Sequence, residues 1–236
     1  MEKQLVRLKS LKLAGGTGLE ILLGIFQKIL QEEKSPSEWS SSLTIPLFKG
    51  KVDALQCDKY RGLRLLEPGM KIWERILLGR LKLHVKVDAQ QCGFTSGKST
   101  TDAIFALRQL QEKYCRKKKK LFHIFVDLEK AFDKVPRSAI QWALRRQLVP
   151  ERLIIQVMSL NEHLESQVRF AGEVSEGFPV CVGVHQGSSL SPLLFNLVME
   201  EATRSCRKGH PWELLHADDL VLTAESREKV MDMFTR

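Results

Sequence analysis

The chain has 236 residues, 43% of them hydrophobic, enough to bury a sizeable core in one large domain or two small ones. Lys and Arg number 37 against 28 Asp and Glu, so the net charge is +9 and any charged partner is expected to be a polyanion, such as nucleic acid or an anionic membrane surface. The five cysteines are scattered with no CxxC pair, which argues against a disulfide framework or a zinc cluster and for a reducing compartment. The sequence also shows no secretory h-region and no apolar run of about 18 residues that would span a membrane.

After the Gly15-Gly16-Thr17-Gly18 turn, Leu19, Leu22, Leu23, Phe26, Ile29 and Leu30 recur at helical spacing, and the helix ends before Ser35-Pro36. Leu43 to Phe48 reads as a short strand, with Pro46 marking an edge or a bulge, and leads into the basic loop Lys49-Gly50-Lys51. Residues 69–86 read as a helix opening just after Pro68. Residues 99–115 read as another, with Ser99 and Asp102 in a capping-box arrangement. The run Arg116 to Lys120 is either a solvated turn or a nucleic-acid contact.

Leu121 to Asp127 alternates as a strand does, and two amphipathic helices follow near 137–148 and 151–160. Gln167–Phe170 and Phe178–Val182 are expected to pair around Gly172. Ser191-Pro192 has the form of an N-cap with Pro at the first helical position, opening a helix to about Cys206. Leu214–Ala217, Asp218-Asp219 and Leu220–Leu222 read as strand, turn, strand. The order predicts an α+β fold, with helices on one face of an antiparallel sheet.

Four segments carry chemistry. Asp127 closes an apolar strand, where a carboxylate either caps a turn or pairs with a cation. Asp218 and Asp219 sit between two apolar runs, a costly place for two like charges unless a cation neutralises them. Three carboxylates from neighbouring strands suit hard divalent ions, and two such ions about 4 Å apart can activate a hydroxyl and stabilise a leaving pyrophosphate. The third segment, Gly183-Val184-His185-Gln186-Gly187-Ser188-Ser189, is a small-residue loop entering a helix N-terminus, either a plain turn or a place where a ligand meets the backbone. The fourth, Lys49-Gly50-Lys51 with Tyr60-Arg61-Gly62-Leu63-Arg64, either grips a triphosphate or is ordinary surface charge.

Taken in order, Phe125-Val-Asp-Leu-Glu-Lys-Ala-Phe-Asp133, Gly183-Val-His-Gln-Gly-Ser-Ser-Leu-Ser-Pro192 and His216-Ala-Asp-Asp-Leu220 resemble the reverse transcriptases of non-LTR (LINE-type) retrotransposons. Ile45–Lys51, Tyr60-Arg61, Met70–Arg75, Gln91–Phe94 and Gly97–Ile104 resemble the same family's upstream segments, so the likeness runs from about Leu19 to Glu225. The resemblance implies a right-hand polymerase with fingers and palm, divided here into residues 1–120 (N-terminal helix and fingers) and 121–236 (palm), with the thumb missing.

It also implies RNA-directed DNA polymerase activity with two Mg²⁺ ions, Mn²⁺ being an alternative. The partners implied are an RNA template, a DNA primer and deoxynucleoside triphosphates, with no membrane, in an intracellular setting both cytoplasmic and nuclear. By the same likeness Asp127, Asp218 and Asp219 are catalytic metal ligands, and the Leu128 carbonyl is a further ligand. Phe132 selects deoxynucleotides, Gln186 and Gly187 border the nucleotide and template, and Arg61 with Lys49 or Lys51 holds the triphosphate. Trp73 and Phe94 are expected in the core. His216 stands where the family usually has an aromatic, most often Tyr, and the second expectation is a truncated, inactive remnant that only binds nucleic acid.

Overall fold

A computed structural model describes residues 15–50, 55–206 and 212–235. Its backbone divides into two compact units, each built from two stretches of chain. One takes the chain up to Val85 together with Val135–Ser191; the other takes Lys86–Lys134 and the chain from Pro192 onward. The boundary read from the sequence, at 120/121, lies inside the second unit.

The first unit begins with helix α1 (Gly15–Glu32), which buries Phe26 and Ile29 but leaves Leu19 69% exposed, so the sequence stripe is only partly used. Strand β1 (Ser41–Phe48) pairs antiparallel with β2 (Tyr60–Leu65), in register from Leu43↔Leu65 to Phe48↔Tyr60. On its other side β1 pairs parallel with β4 (Glu165–Phe170), but only as far as Thr44, so Pro46 falls at an edge where its missing N–H costs nothing. β4 also pairs antiparallel with the two-residue strands β5 (Glu173–Val174) and β6 (Phe178–Pro179).

Helix α2 (Pro68–Leu81) starts with Pro at its first turn and buries Met70, Trp73, Leu77 and Leu81, a stripe at three- and four-residue spacing. Trp73 stacks on Phe26 at 5.1 Å, as expected of a core residue. Helices α5 (Arg137–Arg146) and α6 (Glu151–Ser159) add Ile140, Leu144, Ile154 and Val157, all fully buried.

The second unit centres on a three-stranded antiparallel sheet in the order β3 (Phe122–Asp127), β8 (Asp219–Ala224), β7 (Glu213–His216). Helix α3 (Thr100–Arg116) opens on the expected capping box, where the Asp102 carboxylate accepts the Ser99 N–H at 2.7 Å and its hydroxyl at 2.8 Å. The one-turn helix α4 (Ala131–Lys134) follows β3.

Helix α7 (Ser191–Ala202) starts where the sequence suggested. Ser188 Oγ accepts the N–H groups of Leu190 at 3.1 Å and Ser191 at 3.3 Å, which ties the preceding loop to the start of the helix. Helix α8 (Arg227–Thr235) packs on β8 and β3. Among the described residues no helix is long and apolar enough to cross a membrane.

Candidate active site

The acidic residues sit at one end of the sheet in the second unit. Asp127 is the last residue of β3 and pairs with Asp219, the first of β8, which in turn pairs with His216, the last of β7. Directly opposed residues in an antiparallel sheet share a face with Cα atoms about 4.5–5.5 Å apart. His216, Asp219 and Asp127 therefore form one row across three strands. Asp218 is the residue just before Asp219, in the two-residue connection Ala217-Asp218 between β7 and β8. Leu128 follows Asp127 as the strand ends.

The crowding leaves an electrostatic mark. The Asp219 carboxyl is raised above its ordinary range, first by desolvation and then by the charges of Asp218 and Asp127, with His216 opposing. The side chains do not close into a ligand cluster: among the described residues no three His, Cys, Asp or Glu side chains stand close enough to hold a metal ion. The donor set still fits a hard divalent cation, since carboxylates and a backbone carbonyl are its preferred ligands and a cation would relieve the repulsion at Asp219.

The connection itself is strained and heavily braced. Ala217 takes φ +58°, a left-handed conformation that a non-glycine residue holds only when its surroundings impose it. Two neighbours do so. Gln91 Oε1 accepts the Ala217 N–H at 3.0 Å, and Gly93 lies so close that a Cβ there would fall 2.2 Å from the Ala217 nitrogen. Neither was singled out for this task in the sequence, where Gln91 and Gly93 figure only within a family segment.

Phe132, in α4, is stacked on Phe195 at 4.3 Å and met edge-on by Phe94 at 5.6 Å. Phe94 corrects the sequence reading: it is 60% exposed at φ +53°, a surface aromatic propped on Phe132 and not a core residue. Its flanking glycine and polar residues gave it no apolar period to share. On the same face as the acids, a cavity of 340 Å³ is lined by Asp127, Asp219 and His216 together with Ala103, Ile104 and Leu107 of α3.

The remaining predicted residues belong to the first unit. Arg61 pairs with Leu47 across the β1–β2 ribbon, and the Lys49 N–H extends the ladder to the Lys59 carbonyl at 2.9 Å. Two-residue alternation then puts Lys49, Leu47, Arg61 and Leu63 on one face, with Lys49 and Arg61 exposed. Lys51 lies outside the described residues.

The loop holding Gln186 and Gly187 docks on this ribbon: the Gln186 carbonyl accepts the Arg64 N–H at 3.0 Å. A Cβ on Gly187 would lie 2.9 Å from the Arg64 carbonyl oxygen and 3.5 Å from Leu63 Cδ1, and its φ of +115° is a glycine conformation. Lys49, Arg61 and Gly187 are thus gathered on one side of one ribbon.

Beneath the loop, His185 is 4% exposed, and its imidazole is pushed down to about 3 by burial, with Arg64 and Arg137 adding to the effect. Glu74, 2% exposed, holds the loop's far end, its carboxylate accepting Ser189 N–H at 3.0 Å and Oγ–H at 3.3 Å. Burial raises the Glu74 carboxyl against the opposing pull of these bonds. This brace, too, was not read from the sequence.

A family model described as "Reverse transcriptase (RNA-dependent DNA polymerase)" matches residues 49–235. The chain is 28% identical over 227 residues to the Retrovirus-related Pol polyprotein from type-1 retrotransposable element R2 of Nasonia vitripennis, covering 92% of this chain and 22% of that protein. It is also 28% identical over 193 residues to the RNA-directed DNA polymerase from mobile element jockey of Drosophila melanogaster, covering 80% of this chain and 21% of that one. The chain thus spans about a fifth of the length of these curated relatives.

Among solved structures, apo telomerase from Candida Tropicalis, truncated from its C-terminal domain, superposes with a TM-score of 0.57 at 14% identity. That match covers 85% of this chain and 47% of the other, a likeness of fold that supports the fingers-and-palm architecture. With the match spanning residues 49–235 and relatives from R2 and jockey elements, the chain belongs to the reverse transcriptase (RNA-dependent DNA polymerase) family, in its non-LTR, LINE-type branch.

Proposed function

We propose that this chain supplies the nucleotidyl-transfer site of an RNA-directed DNA polymerase, which extends a DNA primer with deoxynucleotides along an RNA template. The observation that carries the reading is the row His216, Asp219 and Asp127, with Asp218 adjoining it and the Asp219 carboxyl raised by its neighbours. Members of the family generally use divalent metal ions. Here Asp127, Asp218 and Asp219 would hold two Mg²⁺ ions, replaceable by Mn²⁺, with the Leu128 carbonyl as a further ligand. When bound, such ions lower the pKa of an attacking hydroxyl and neutralise a departing pyrophosphate.

The protein's own residues do the positioning. Lys49 and Arg61, exposed on one face of the β1–β2 ribbon, take the triphosphate, with Lys51, two residues after Lys49 in sequence, as the other candidate. Gly187 leaves backbone open beside that face, so the nucleotide and template can approach it, with Gln186 at their border. Phe132, fixed by its stack on Phe195, sets a hard edge against a 2′-hydroxyl and so favours deoxynucleotides. Base pairing does the copying, so the +9 chain needs only phosphate contacts, and its nucleic-acid affinity falls steeply with salt.

Primer extension on an RNA template with Mg²⁺ tests the proposal. Asp218→Asn is expected to lower incorporation by at least about a hundredfold. Full activity in that variant would remove the aspartate from its role, while binding to RNA–DNA hybrid with no extension would mark an inactive remnant.

A further inference from the structure

Gln91 lies in the segment from Gln90 to Gly93, which runs along the outer edge of β7. Its backbone bridges Leu215: the Leu215 N–H donates to the Gln90 carbonyl at 3.1 Å, and the Cys92 N–H donates to the Leu215 carbonyl at 2.8 Å. That much is ordinary edge cover.

The side chain goes further. It is 2% exposed, and its Oε1 accepts two backbone donors, the Gly93 N–H at 2.8 Å and the Ala217 N–H at 3.0 Å. Two bonds saturate a carbonyl oxygen. Ala217 lies beyond the last residue of β7, where the ladder to β8 has stopped, so the amide side chain takes over where backbone pairing ends. From the other side Asn196 of α7 donates Nδ2–H to the Gly93 carbonyl at 2.9 Å. A chain of contacts thus runs from α7 through Gly93 and Gln91 to the one left-handed residue between His216 and Asp218.

We infer that Gln91 is a positioning residue: by fixing the Ala217 peptide it sets the direction in which Asp218 and Asp219 present their carboxylates to divalent cations. The inference rests on the polymerase reading above and adds to it the residue that aims the acids. Without the acceptor, the Ala217 peptide loses its one side-chain hydrogen bond and keeps only the packing of Gly93 to hold φ +58°. A rotation there swings Asp218 directly.

The test compares Gln91→Leu, which keeps the bulk and loses the acceptor, with Gln91→Glu, which keeps it. Both are made in the full chain, with Asp218→Asn alongside. Mn²⁺ affinity is read from the loss of the free-ion electron paramagnetic resonance signal, and amide exchange from NMR at Ala217 and at Leu222 in the middle of β8.

Gln91→Leu is expected to weaken Mn²⁺ about tenfold or more and to speed exchange at Ala217 while leaving Leu222 protected. Gln91→Glu is expected to restore slow exchange at Ala217 to within about threefold of the parent, as an acceptor in the same place should, while its added charge acts on Mn²⁺ affinity directly, so the affinity comparison is made with Gln91→Leu alone. Faster exchange at Ala217 with Mn²⁺ affinity unchanged would make Gln91 a structural brace only and overturn the inference. If the Asp218 variant loses Mn²⁺ while Gln91→Leu does not, the inference fails and the polymerase reading stands. A parent chain that binds no Mn²⁺ overturns both.

Discussion

Each unit holds one demanding loop in place with a side chain that is 2% exposed and comes from elsewhere in the chain, and the two braces differ in charge. In the second unit the Ala217 turn is held by the neutral amide of Gln91. In the first, the loop around Gly187 is held by the Glu74 carboxylate at Ser189. The surroundings account for the difference. The Ala217 turn adjoins Asp218 and lies at the end of the row containing Asp127 and Asp219, where a fourth acid would add to the repulsion already raising Asp219. Glu74, bracing the Gly187 loop, has the Ser188 and Ser189 hydrogen bonds and the Lys71 charge in its favour, so only desolvation opposes an acid brace there.

The glycines packed against each loop give the largest contrast. Gly93→Ala places a Cβ 2.2 Å from a backbone nitrogen, which no rotamer change can relieve, so the Ala217 turn must move. We expect a loss of about 3 kcal/mol in urea unfolding, at or beyond the upper end of overpacking costs, because backbone cannot yield as a side chain does. Gly187→Ala meets a carbonyl oxygen at 2.9 Å and a strained φ, and should cost about 2 kcal/mol. Equal costs at the two positions would mean that the acidic turn is no more tightly held than the loop.

The parts legible in the sequence are those with local signals. Asp218-Asp219 stands out because two acids interrupt apolar strands, and the capping box of α3 and the proline opening of α2 are written in adjacent residues. The braces are not, because Gln91 and Ala217 are 126 residues apart and meet only after folding. The parallel pairing of β1 with β4 was missed for the same reason, since strands so far apart carry no turn signal between them. β2 was hidden differently: Arg61, Gly62 and Arg64 break its apolar pattern, and the basic residues drew attention to charge instead of pairing. Phe94 shows the opposite error, an aromatic assumed buried by type that is mostly exposed.

His185 gives the first loop a pH dependence opposite in sign to the one that the raised Asp219 carboxyl gives the acidic turn. Its imidazole titrates at about 3 in the folded chain against an ordinary 6.5, so the unfolded chain binds the extra proton between those values. The sign follows: the stabilisation is complete above about pH 6.5 and is lost as pH falls toward about 3. At pH 5 the loss is about 2 kcal/mol relative to pH 7.5. His185→Gln should be the flatter protein by that amount when unfolding free energies at the two pH values are compared. An identical slope in the variant would show that the imidazole is solvated and that the loop is open beneath Gly187.

The smallest effect runs the other way and bears most directly on why the braces differ. Burial raises the folded Glu74 carboxyl above its unfolded value, so the folded chain binds its proton more readily. Relative stability from this group is therefore present at low pH and lost as pH rises through the folded value. Glu74→Gln keeps an acceptor for the Ser189 N–H and removes the charge, and should gain up to about 1 kcal/mol at pH 8, with the gain vanishing near pH 4. Measured as the difference from the parent across that range, a gain at pH 8 would mean that the carboxylate is only tolerated in the Gly187 loop. A loss at pH 8 would mean instead that its charge holds the loop, through the Ser188 and Ser189 bonds and the Lys71 charge that oppose burial. In that case a charged brace was chosen for strength in one unit and forgone in the other because of the aspartates beside it.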